Sequence, residues 1–130
     1  MRFLLSALIM SLALSACATS PGPVPRAFHG TWDLSPIECG DPDGVSRLVI
    51  AGTRLTYYEW GGDVLSVRPD GDGSVQVDLN WWDTSDTDAN DRPVIRHRPG
   101  KLTLSPDRSA LRIAIDGEAT TYTRCPGAPS

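Results

Sequence analysis

The chain has 130 residues, 12 Lys+Arg against 16 Asp+Glu, 40% hydrophobic residues, 12 Gly, 11 Pro and 3 Cys. That length allows one small domain and excludes a multidomain enzyme. The net charge of −4 argues against a nucleic-acid binder, which needs surplus basic charge on one face to meet phosphate.

Met1-Arg2 opens the chain with a positive charge, and Phe3–Leu14 is an apolar run interrupted only by Ser6 and Ser11. The run is too short to cross about 30 Å of hydrocarbon, so residues 1–16 read as a secretory signal rather than a membrane span. Leu14-Ser15-Ala16-Cys17 resembles the lipobox of bacterial lipoproteins. The resemblance implies cleavage before Cys17, acylation of its sulfur and amine, and, with Ala18 rather than Asp next, sorting to the outer membrane, facing the periplasm. Lipidation would account for the odd cysteine, and several acyl chains give stable anchoring. Removing residues 1–16 leaves 114 residues with 11 basic and 16 acidic side chains. Residues 17–26 include Ala18–Pro25, which is Pro-rich and lacks apolar periodicity; they are expected to be an extended tether, with the domain proper at 27–130.

From Phe28 to Arg124 the apolar residues alternate in short runs, and nothing has a convincing period of 3.6. Val75, Val77, Leu79 and Trp81 alternate with Gln76, Asp78 and Asn80, and Leu111, Ile113 and Ile115 repeat the pattern. Nine strands are predicted, at about 28–34, 45–50, 54–60, 63–68, 74–82, 93–98, 101–105, 110–116 and 119–124. Turns are expected at Ala51-Gly52-Thr53, Gly61-Gly62, Asp70–Gly73, Pro99-Gly100, Pro106-Asp107 and Asp116-Gly117. Short connections pair sequence neighbours, and closure removes the two exposed edges of an open meander. The expected fold is therefore all-β, a small antiparallel up-and-down barrel of eight or nine strands; a two-sheet sandwich is the alternative. Cys39 and Cys125, after the first and last predicted strands, are expected to form a disulfide in an exported domain. In a meander that bridge requires an odd strand count or a long first loop that folds back.

Gly30-Thr31-Trp32 in the first strand and Arg124 at the end of the last resemble the barrel-closing residues of lipocalins and the wider calycins. The resemblance implies that Trp32 plugs one barrel end and that Arg124 stacks on it. Gly30-Thr31-Trp32-Asp33-Leu34 followed by Cys39 resembles, more distantly, the opening of periplasmic metalloprotease-inhibitor barrels. Size, anchor and barrel class are also shared with lysozyme-inhibitor lipoproteins.

Candidate sites are few. In the stretch Asp83–Asp91, Asp86, Asp88 and Asn90 occupy alternating positions, but Asp91 stands where a calcium loop needs Gly, so no metal site is expected. Alternation puts Leu55, Tyr57 and Glu59 on one face, with Glu59 and His97 as the ionisable groups nearest the interior. It puts Tyr58 and Trp60 on the other face, where with Trp82 they would form an exposed aromatic patch. Arg92, Arg96, Arg98 and Lys101 read as a local basic strip. No nucleophile constellation and no cofactor motif occurs, so an enzyme is not expected. The expected function is a non-catalytic, lipid-anchored binding module of the cell envelope, of inhibitor or scaffold type, that engages a protein. The alternative is a lipocalin-like carrier or sensor of a small apolar ligand, which needs an interior cavity of about 300 Å³ or more.

Overall fold

A computed structural model describes residues 22–127 of the chain. Eight strands run β1 (Gly30–Asp33), β2 (Leu48–Ala51), β3 (Arg54–Thr56), β4 (Trp60–Pro69), β5 (Ser74–Asp83), β6 (Arg96–Leu104), β7 (Ala110–Ile115) and β8 (Glu118–Arg124). Each pairs antiparallel with its sequence neighbour, and β1 pairs with β8, so the sheet closes into an up-and-down barrel. Closure leaves no edge strand, and the sandwich alternative is excluded.

Alternation delivers the core. Trp32, Leu48, Ile50, Leu55, Leu79, Leu102 and Leu111 are essentially inaccessible, with Val64, Val75, Val77 and Ile113 packed among them. At about 25 cal/mol per Å² of apolar surface, this packed interior is the main source of stability.

Two expected turns are strand interior, and one of them, Pro99-Gly100, reduces nine predicted strands to eight. Pro99-Gly100 lies inside β6, because β7 pairs only from Gly100 onward. Beyond that point Pro99 has a neighbour on the β5 side alone, a position where a residue without an N–H is tolerated. Gly61-Gly62 lies inside β4. The reversal falls earlier, at Tyr57-Tyr58-Glu59, closed by the Tyr57 N–H donating to the Trp60 carbonyl at 2.9 Å. Gly61 pairs with Trp82, and a Cβ there would lie 2.6 Å from both the Leu55 carbonyl oxygen and Trp82 Cζ2. Only glycine fits.

The even strand count sends the end of β8 to the barrel end opposite the end of β1. The Cys39–Cys125 disulfide nevertheless forms, with Cα atoms 5.4 Å apart, because the long first connection folds back along the barrel wall. Asp33, fully buried, anchors that connection: its Oδ1 accepts from Ser46 Oγ and the Leu34 N–H, and its Oδ2 faces Arg47 Nε at 3.7 Å. Arg47 in turn donates to the Asp41 carbonyl at 2.5 Å.

The domain begins earlier than expected. Val24, assigned above to the tether, is 1% exposed, and its N–H donates to the Gly52 carbonyl at 2.9 Å. A 3-10 turn, Arg26–Phe28, then carries Phe28 into the core beneath the barrel. Residues 1–21, and with them the predicted signal and Cys17, lie outside the described residues.

Candidate functional site

The two barrel ends differ in kind. One is sealed. Trp32 Nε1 donates to the Phe28 carbonyl at 3.0 Å, and the Arg124 guanidinium lies over the Trp32 ring, its Cζ 4.1 Å from the centroid. The same guanidinium donates to the carbonyls of Ala27 (2.7 Å), His29 (2.8 Å) and Arg108 (2.9 Å). Its charge thus satisfies the backbone of two incoming segments while covering an aromatic face. Gly30 opens β1 with φ of 132°, a conformation suited to glycine, where the chain turns from the closing 3-10 turn into the barrel.

The other end is open. Here the strand ends β3/β4, β5/β6 and β7/β8 surround a cavity of about 180 Å³. Tyr57 and Trp60 stack with ring centroids 3.4 Å apart, and Trp60 meets Trp81 at 4.7 Å. Tyr122 closes the aromatic floor 6.2 Å from Tyr57. Ile113 and Ile115 form the facing wall, and Arg98, Asp116 and Glu118 stand at the rim. Arg98 pairs with Asp116 at 3.1 Å and lies 5.7 Å from the Trp81 ring centroid. Burial, followed by the influence of Tyr122, raises the Tyr57 hydroxyl above its ordinary value; burial likewise raises Tyr122. Below this floor the barrel is filled by Leu55, Leu79 and Leu111.

Several predicted site residues are placed elsewhere. Glu59 is not inward: it sits exposed in the β3–β4 turn, its carbonyl accepting the Thr84 N–H at 2.8 Å. His97 is not inward either, since its outer-wall ring meets Asp78 at 3.7 Å. The exposed patch of Tyr58, Trp60 and Trp82 does not form. The 57–59 reversal resets the alternation and sends Trp60 inside, Trp82 covers Gly61 on the outer wall, and Tyr58 stands at the turn tip. The basic strip also dissolves, with Arg96 paired to Asp86, Arg98 to Asp116 and Lys101 to Asp70. The Asp-rich connection spends its carboxylates on itself: Asp83 Oδ1 accepts from Ser85, and Asp88 Oδ1 from the N–H groups of Asn90 and Arg92. No grouping of three or more potential metal ligands occurs among the described residues.

Sequence reasoning missed Arg98, Asp116, Glu118 and the grouping of Tyr57, Trp81 and Tyr122 as one site. A signal for Arg98 existed: continued through Pro99-Gly100, the parity of Leu104 and Leu102 runs on to residue 98. No protein-family model, no curated protein and no solved structure matches the chain.

Proposed function

We propose that the protein is a non-catalytic binding module, held at the periplasmic face of a bacterial outer membrane through lipidated Cys17, whose open barrel end docks a protein partner. The observation that carries this reading is the size and lining of the mouth. A cavity of about 180 Å³ has room for roughly six waters. That suits one inserted side chain and falls short of the roughly 300 Å³ at which small-molecule sites begin. Aromatic rings around a small desolvated pocket match the chemistry of anchor residues at protein interfaces. The filled interior disfavours the carrier reading, which needs a calyx.

The attachment point supports a consistent orientation. Seven residue-to-residue steps separate Cys17 from Val24 at the sealed end, a reach of at most about 25 Å. Anchored there, the sealed end stays near the bilayer and the mouth is presented away from it. Photo-crosslinking in intact envelopes tests the reading, with the reactive side chain placed at Tyr58 beside the mouth or at Asp72 in a sealed-end turn. Protein adducts from the first position alone are expected; lipid adducts or none from the mouth would overturn it. Cys17→Ser is expected to move the chain from the membrane to the soluble fraction.

A further inference from the structure

The mouth does more than offer an apolar pocket: its charge specifies what enters. The chain's ionic residues are divided between the barrel ends. The segments at the open end (57–60, 81–98 and 115–118) hold seven acidic and three basic residues. Those at the sealed end (22–30, 51–55, 66–76, 101–112 and 123–127) hold three acidic and seven basic. A domain of modest net charge is thus strongly polarised along its axis. Two of the three basic groups at the open end are already held by carboxylates: Arg96 by Asp86 and Arg98 by Asp116. Glu118, at the rim of the cavity, and Glu59, in the neighbouring turn, have no ion-pair partner among the described residues.

Electron-rich ring faces beside unpaired carboxylates form a receptor for a positive charge. The mouth already holds one such arrangement internally, with the Arg98 guanidinium near the Trp81 ring and bonded to Asp116. An anionic group, by contrast, would have to cross the surplus of carboxylates and displace Asp116 to reach Arg98. Resting on the docking reading above, we infer that the mouth accepts the cationic side chain of a basic protein segment, an Arg or Lys, with its charge against Glu118 and its alkyl stem or guanidinium plane against Trp60 and Trp81. The acidic rim steers such a segment toward the pocket, and the basic sealed end is left for the membrane side.

The test uses the full-length lipidated chain in nonionic detergent, with the indole N–H signals of its tryptophans followed by NMR. Three blocked tetrapeptides are titrated, identical except for a central Arg, Phe or Glu. The Arg peptide is expected to shift the Trp60 and Trp81 signals, leave buried Trp32 unmoved, and bind at least about threefold more tightly than the Phe peptide and tenfold more tightly than the Glu peptide. Glu118→Gln, at an exposed strand end where folding is insensitive, is expected to weaken the Arg peptide about threefold and leave the Phe peptide unchanged. Asp72→Asn at the sealed end changes neither. Equal or tighter binding of the Phe or Glu peptide at Trp60 and Trp81, or indifference of the Arg peptide to Glu118→Gln, overturns the cationic assignment while the docking mouth stands. No shift of the Trp60 and Trp81 signals with any peptide overturns both.

Discussion

At the scale of single residues, the barrel depends on a few positions where one atom decides. Arg124 joins a cation–π contact to three charge-assisted hydrogen bonds that hold Ala27, His29 and Arg108 around the sealed end. Arg124→Ala leaves those carbonyls and the Trp32 face without a partner. It is expected to cost roughly 2–4 kcal/mol, read as a lower urea midpoint with unchanged slope. Arg124→Lys should recover only part, since an ammonium cannot span three diverging acceptors as a planar fork does. Gly61→Ala places a methyl 2.6 Å from the Leu55 carbonyl and from Trp82. About 1–3 kcal/mol of destabilisation is expected, and Trp82→Ala should not rescue it, because the backbone clash remains. Asp107 gives a pH handle: hydrogen bonds from the Ser105 hydroxyl, the Ser109 N–H and the Ser109 hydroxyl lower its carboxyl to about 2. With the folded value below the unfolded one, this stabilisation is present above about pH 4 and is lost as the pH falls toward 2. Asp107→Asn should flatten that part of an acid unfolding curve; an unchanged curve would exclude the role.

At the scale of elements, the connection between β1 and β2 is the least regular part of the barrel and the most heavily fastened. Its exposed Leu34, Ile37 and Val45 do not bury enough apolar surface to fold it against the wall. The Cys39–Cys125 bridge, the buried Asp33 carboxylate and the Arg47 contact to Asp41 do so instead. Because the bridge closes a separation of 86 residues, chain entropy assigns it roughly 4–5 kcal/mol. Reduction is expected to lower the urea midpoint accordingly and to open protease cleavage first within 34–47. Cleavage elsewhere would show that the connection is held without the bridge. The strand plan was largely legible, because period-two alternation survives wherever one face meets the core. It failed at Gly61-Gly62 and Pro99-Gly100, where dipeptides that usually mark turns serve close packing against Trp82 and a strand with one open side. That failure carried over to the site. A reversal misplaced by a few residues put Trp60 outside and Glu59 inside, the reverse of where they stand.

For the whole molecule, the segregation of charge along the barrel axis matters more than the net value of −4. The axis is also the line from proposed anchor to proposed docking end. Given lipidation at Cys17, fluorophores at Asp72 and at Glu59 should respond differently to quenchers carried on lipid headgroups. Strong quenching is expected at Asp72, near the sealed end, and little at Glu59; equal quenching would mean that the barrel lies on its side. Exchanging dilute for concentrated salt should weaken capture of a basic segment at the mouth, since screening shortens the reach of the rim's field to a few ångströms.

The sequence by itself determined the class of structure: length allowed one domain, alternation required strands, and short polar connections made neighbours pair. Those are local properties, carried by residues close in the chain. The barrel ends were decided only by the tertiary structure. Closure of β1 on β8 brings Arg124 to Trp32, and the 57–59 reversal brings Tyr57, Trp60, Trp81 and Tyr122 around one cavity. The tertiary structure likewise sorts carboxylates scattered along the chain onto a single rim. A site assembled from the ends of six strands has no local signature, because its geometry is set by register around the barrel and register is a property of pairs.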